Sequence, residues 1–201
     1  MSQSGSGAPS SSADRLAGAL LGLALGDALG FVVEAAPPEV ARAYAREELA
    51  RRRYGARSHA HFPFGQYSDD TQLARALLLG VRDAGGWDPA AFARRVEQLF
   101  HAGAAVGAGP GTRGAAERLR AGVHWREAGA PAPYAGNGAA MRAAPLGILL
   151  GKDLPRLVAV ATEQALVTHL DPRCAGGAVA VAGAAALVAR PVELDARRVV
   201  R

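Results

Sequence analysis

Glycine returns every fourth residue near the start of this chain, at Gly18, Gly22, Gly26 and Gly30. A four-residue interval is close to one helical turn, so the four glycines fall on one face of a helix, with Leu20, Leu21, Leu23 and Leu25 around the rest. A face without side chains lets a second helix approach closely. Glycine also weakens a helix by about 1 kcal/mol per residue relative to alanine, so tertiary contacts must hold this one together. The sequence therefore predicts a buried, glycine-striped helix over residues 16–30.

Helical signals continue along the chain. Pro37-Pro38 opens a polar helix running to about residue 53, and residues 55–66 read as loop. Ser68 caps a helix that ends near residue 83, before Gly85-Gly86. Asp88-Pro89 is a cap followed by proline at the first helical position, and Phe92, Val96, Leu99 and Phe100 form the apolar stripe of the helix that follows. Residues 103–111 are a glycine-rich loop before a short helix over residues 112–120, and residues 125–136 are a second loop. Helices are expected over residues 139–150, 154–167 and 173–189, with Pro191 ending the last. No alternating-strand pattern and no solenoid repeat is present. The fold class is thus all-α: a single multi-helix domain over residues 15–201, orthogonally packed rather than a simple bundle, behind a flexible Ser/Gly-rich tail at residues 1–14. At 201 residues, 50% hydrophobic and 20% charged, the chain is long and apolar enough for one substantial core. Aromatics are only 5%, so that core must rely on close helix approach rather than on large rings.

The net charge of +5 raises the question of a nucleic-acid partner. The basic residues are arginines apart from Lys152, scattered except at Arg51-Arg52-Arg53 and the last few positions, and no aromatics interleave with them as a stripe. That pattern does not make a nucleic-acid surface. A membrane span is not expected, because Asp27 interrupts the apolar run. An export signal is not expected either, since Asp14 offsets Arg15. Cys174 is the single cysteine, so no intrachain disulfide can form, and a cytoplasmic location is expected. The same cysteine reads as a small packing residue.

The chemistry concentrates at Tyr67-Ser68-Asp69-Asp70-Thr71. Acidic residues in the first turn of a helix are favoured by its dipole, and Ser68 is a natural cap. Two adjacent carboxylates also repel, which favours a proton or a cation between them. Oxygen ligands of this kind suit Mg²⁺ or Mn²⁺. The motif on its own is equally an acidic helix cap. His59 and His61 form a His-Ala-His pair without a third ligand at useful spacing.

Three further segments stand in a fixed order with that motif. Gly26-Asp27-Ala28-Leu29-Gly30 precedes it, with Glu34 shortly after. Gly136-Asn137-Gly138-Ala139-Ala140-Met141-Arg142 and Thr168-His169 follow it. In this order and with these gaps, residues 16–187 resemble the ADP-ribosylglycohydrolase family, of the dinitrogenase-reductase-activating type. The resemblance implies an all-helical fold and a binuclear Mg²⁺ (or Mn²⁺) site that removes ADP-ribose from a modified side chain. Its substrate would be an ADP-ribosylated protein or a small ADP-ribose-containing compound. Ser68, Asp69 and Asp70 match family metal ligands, with serine where the family more often has threonine. Glu34 matches a family acid near the metals, so Glu34, Asp69 and Asp70 are the expected catalytic carboxylates. Gly136, Asn137 and Gly138 match the loop that takes ADP-ribose phosphates, where they are expected to open a helix. Met141 and His169 complete the expected ligand-binding set. Arg142 would either balance ligand charge or form a structural ion pair, and Asp27 would shape the site through hydrogen bonds.

The resemblance is partial. Family members carry a second acidic motif of the form Gly-Asp-x-Asp-Thr, and after Asp171 this chain has only Asp195, in surroundings that do not match. The second-half ligands of a two-metal cage are therefore missing. The sequence predicts an inactive fragment of a hydrolase, active only when a segment with paired aspartates completes it. The alternative is a non-catalytic module that binds ADP-ribose or a related nucleotide.

Overall fold

The computed structural model describes residues 11–52 and 62–189. Eight α-helices run through them with no strand among the described residues: α1 Ser12–Gly30, α2 Pro38–Ala43, α3 Asp69–Ala84, α4 Pro89–His101, α5 Pro110–Arg120, α6 Ala144–Leu150, α7 Leu154–Leu166 and α8 Pro172–Val188. The His59–His61 pair lies outside the described residues.

Local chemistry explains most boundaries. Ser11 caps α1, and Asp14 reaches back to it in a reciprocal capping box. Helix therefore begins within the stretch read as a flexible tail. Ser68 caps α3, and Gly85 closes it at φ +68°. Asp88, Asp153 and Asp171 cap α4, α7 and α8, each followed by a proline in the first turn.

The core lies between α3, α4, α6, α7 and α8. Leu73, Leu77, Phe92, Val96, Leu146, Leu157 and Val160 are buried in it, alongside alanines from every one of these helices except α6. Each such leucine or phenylalanine contributes about 1.5–3 kcal/mol by leaving water. Small residues set the closest approach. A Cβ on Gly147 of α6 would collide with the backbone of α8 at Ala182 and Ala186, so only glycine fits there.

Two expectations fail. The glycine-striped helix is not buried: no residue of α1 is, and a Cβ on Gly18, Gly22 or Gly26 would meet nothing within 4 Å. Helix α1 packs against α3 and α6 through other positions, and no described element covers its stripe, leaving Leu21 and Leu25 exposed. The segment Ser12–Val33 is also long and apolar enough to cross a membrane by length and composition, despite Asp27. Second, Gly136-Asn137-Gly138 does not open an α-helix. Asn137–Ala139 forms one 3₁₀ turn, and the α-helix starts only at Ala144. Pro145 has no N–H to donate to a preceding turn, so a continuous helix from residue 139 cannot form.

Candidate active site

The C-terminal end of α1 is tied to the N-terminal end of α3 by one carboxylate. Asp27 accepts the Ser68 backbone N–H at 2.9 Å and the Ser68 hydroxyl at 2.7 Å. It also accepts the Thr71 N–H at 3.1 Å and the Thr71 hydroxyl at 2.6 Å. A carboxylate held this way satisfies helix-end donors that would otherwise be orphaned, and it does so from another helix. The loop over residues 102–109 closes on the same helix end. Asp69 N–H donates to Val106 O at 2.7 Å, while Gln72 bonds Ala104 O and Val106 N–H.

With its neighbours fixed, α3 presents Asp69 and Asp70 to a cleft that Glu34 also lines. Glu34 follows a 3₁₀ turn, Phe31–Val33, and precedes Ala35, whose φ of +57° is uncommon for a residue with a side chain. Asp69 is almost fully buried. Burial, and then the charge of Asp70, push its carboxyl up to about 7. Burial, followed by the charges of Asp27 and Glu34, pushes Asp70 up to about 6. These carboxylates are thus close enough to hinder one another's ionisation.

The opposite wall comes from Gly136, Asn137, Gly138, Met141 and His169, joined by Thr112 and Tyr134. Close approach makes Gly138 obligatory: a Cβ there would stand 2.7 Å from His169 Cε1 and 3.1 Å from Thr112 Oγ1. Beneath this wall lies Arg142, fully buried. Its guanidinium donates to Gly138 O at 2.6 Å, Gln164 Oε1 at 2.6 Å, Gln164 O at 2.7 Å and Thr168 Oγ1 at 2.8 Å. None of these partners is a carboxylate, so Arg142 forms no ion pair among the described residues. It is a buried cation held by neutral acceptors. Burial pulls its pKa down to about 9, against the pull of Asp69.

A backbone bridge positions His169. Ala130 N–H donates to Thr168 O at 2.9 Å, and Leu170 N–H donates to Ala130 O at 2.8 Å. The ring stacks on Tyr134, with centroids 5.8 Å apart. Burial and the nearby Arg142 hold its pKa down to about 4, so it is neutral at physiological pH. Cys174 is buried, and its thiol donates to Gly136 O.

The residues fit a hard divalent cation in chemistry and in part only in number. Asp69 and Asp70 are oxygen donors whose repulsion a cation would relieve. Yet among the described residues no three His, Cys, Asp or Glu side chains converge as a metal cluster. The Ser68 hydroxyl already donates to Asp27 and accepts the Asp70 N–H at 3.4 Å, so it would have to share its remaining lone pair. Mg²⁺ commonly takes one or two carboxylates and keeps several waters, and this site offers that much.

Size does not single out this cleft, whose volume is about 90 Å³. Larger hollows occur between α4 and α5 beside Trp125, about 450 Å³, and alongside Tyr134, about 570 Å³. The convergence of carboxylates, glycine backbone and a neutral histidine sets the smaller cleft apart. Sequence reasoning gave no role to Thr71, Thr112 or Tyr134. Thr71 stands inside the acidic motif and could have been read as a partner for Asp27. Thr112 stands in the first turn of α5 and Tyr134 in the loop that follows that helix, and neither carries a local signal that points to the cleft.

Comparison with known proteins bears on the family and the fold. The ADP-ribosylglycohydrolase family model matches residues 8–201. A protein of Archaeoglobus fulgidus is 35% identical over 83% of this chain and 53% of its own length. ADP-ribosylarginine hydrolases of Serratia proteamaculans and Pseudomonas putida are 31% and 32% identical, over 81% and 80% of this chain and 44% and 43% of their own lengths. A solved structure titled ADP-ribosylglycohydrolase-related protein complex superposes with a TM-score of 0.65 at 34% identity, covering 85% of this chain and 54% of that one. The chain thus spans about half the length of the relatives it matches.

Proposed function

The chain belongs to the ADP-ribosylglycohydrolase family, and from that membership we propose that its cleft binds the ADP-ribosyl group of a modified arginine side chain for hydrolysis at ribose C1″. The arginine linkage rests on the two relatives that are ADP-ribosylarginine hydrolases. The observation that carries the proposal is one cleft with Asp69, Asp70 and Glu34 on one wall and Gly138 and His169 on the other.

In this reading, Asp69 and Asp70 hold Mg²⁺ or Mn²⁺, assisted by the Ser68 oxygen. When bound, the cation supplies Lewis-acid polarisation of a ribose hydroxyl and of water. Glu34 accepts the proton of the attacking water as general base. The carboxylate charge on that wall stabilises the oxocarbenium character that develops at C1″ as the guanidine leaves. Gly136, Asn137 and Gly138 let phosphate oxygens approach the backbone closely, and Met141 packs against the ligand. A cleft of about 90 Å³ cannot hold a whole ADP-ribosyl group. The mostly apolar hollow that shares Tyr134 with it gives the remainder a place to lie. A cytoplasmic location belongs to the same proposal and rests on the lone Cys174.

A second reading is favoured by the incomplete cluster of metal ligands: the chain binds ADP-ribose without hydrolysing it. The test is release of ADP-ribose from an arginine-modified protein with Mg²⁺ or Mn²⁺, run beside ligand binding. Metal-dependent turnover that Asp70→Asn abolishes supports hydrolysis. Binding without turnover supports the second reading.

A further inference from the structure

A continuous hydrogen-bonded chain runs from the buried guanidinium to the cleft: Arg142 Nη2 to Thr168 Oγ1 at 2.8 Å, and Thr168 Oγ1 to His169 Nδ1 at 2.9 Å. Thr168 is wholly buried, so its hydroxyl proton has no access to water. Arginine only donates, so it must use one hydroxyl lone pair and cannot take the hydroxyl proton. Among the described residues, the acceptor within reach of that proton is His169 Nδ1. Were Nδ1 itself protonated, the hydroxyl would face two donors and its own proton would be buried without a partner, at a cost of about 1–3 kcal/mol.

We infer that Arg142, acting through Thr168, fixes His169 as the tautomer that carries its proton on Nε2, making the ring a hydrogen-bond donor to the ligand rather than a base. Nε2 has no protein hydrogen-bond partner among the described residues. It stands 3.0 Å and 3.1 Å from where a Cβ would sit on Gly111 and Gly136. On the Gly111 side the ring of Tyr134 fills the space, with Cε1 2.4 Å from the Cβ position, whereas Gly136 and His169 both line the cleft, so a ligand oxygen reaches Nε2 from the Gly136 side. The stack on Tyr134 holds the ring plane. The low pKa of His169 agrees, since a second proton could go only to Nδ1, against the hydroxyl that Arg142 has oriented. Arg142 and Thr168 are thus positioning residues, and the acceptor that His169 serves is a phosphate or ribose hydroxyl oxygen.

The identity of that acceptor rests on the proposed ADP-ribose site, but the tautomer does not. The experiment is ¹⁵N NMR of the imidazole rings in the full chain, without ligand, at neutral pH, with His169 assigned by His169→Gln. The expected result is a protonated Nε2 and an unprotonated, hydrogen-bonded Nδ1. Thr168→Val should give a mixture of tautomers and weaken ADP-ribose about tenfold, the worth of one oriented hydrogen bond. Thr168→Ser should retain the single tautomer. A protonated Nδ1 in the unsubstituted protein, or an unchanged tautomer in a folded Thr168→Val, overturns the inference. If Thr168→Val does not fold, the spectrum of the unsubstituted protein still decides. Absence of ADP-ribose binding alongside the predicted tautomer would count against the proposed ligand and leave the relay standing.

Discussion

Asp27 accepts both the backbone N–H and the hydroxyl of Ser68, at 2.9 Å and 2.7 Å, across the junction of α1 and α3. This contact ties an otherwise exposed helix to the domain and places the N-terminal turn of α3, with Asp69 and Asp70, at the edge of the cleft. It also bears on the membrane question, because inserting Ser12–Val33 in a bilayer would pull Asp27 away from Ser68 and Thr71.

Asp27→Asn should therefore be costly. The amide nitrogen cannot accept, so at least one of the buried donors from Ser68 and Thr71 loses its partner. Such a loss costs about 1–3 kcal/mol, which lowers Tm by roughly 2–10 °C for a domain of this size. Thermal denaturation followed by circular dichroism measures it. A variant melting with the unsubstituted protein would show that α1 is not anchored here.

The cation-free protein should lose stability as pH rises from about 4 to above 7. Asp69 and Asp70 have folded-state pKa values of about 7 and about 6, raised from 3.8. Over that interval the two carboxylates hold more protons in the folded state than in the unfolded state, and they outweigh His169, whose pKa lowered from 6.5 to about 4 acts the other way, so stability falls with increasing pH. Below about pH 4 both states are protonated and the penalty is absent; above about pH 7 it is fully present. Added Mg²⁺ should raise Tm by several degrees at pH 8 and barely at pH 5. Equal Mg²⁺ effects at both pH values would remove the two carboxylates as its ligands.

Gly138→Ala should weaken ADP-ribose at least about tenfold while costing about 1–3 kcal/mol of stability. The new methyl must displace His169 or Thr112, both of which line the cleft. Calorimetry gives the affinity and urea unfolding the stability. Unchanged affinity would place the ligand elsewhere.

Turnover by this chain should be slow and should depend wholly on added Mg²⁺ or Mn²⁺. Asp69 and Asp70 would supply at most half of the two-cation cage that the family resemblance implies, and among the described residues no three His, Cys, Asp or Glu side chains group as a metal site. Measuring released ADP-ribose against time in Mn²⁺ checks this. Turnover that persists in EDTA or in Asp70→Asn would remove the two aspartates as the cation's ligands.

How much was legible depended on how local the cause was. The Ser68 cap and the Asp88-Pro89 start are set within a few residues, and both helices begin where the sequence places them. The glycine stripe of α1 is exposed rather than buried as expected, because spacing defines a face but not what covers it. The α-helix expected at Gly138 fails for another reason: Pro145 interrupts the helical hydrogen bonding, and the α-helix begins only at Ala144. In the site, the order of motifs pointed to Glu34, Asp69, Asp70, Gly138 and His169, which share one cleft. Tyr134 was not foreseeable, since its place depends on the path of the loop before it. Nor was the cradle of Arg142, whose partners Gln164 and Thr168 come from α7 and the turn beyond.

The most direct test of the account is a calorimetric titration of ADP-ribose into this chain in Mg²⁺, in EDTA, and with Asp69→Asn and Asp70→Asn in Mg²⁺. The account predicts a single site, weakened about tenfold or more by EDTA and by each substitution. Failure to bind ADP-ribose, or binding that ignores both the metal and the two aspartates, would contradict it.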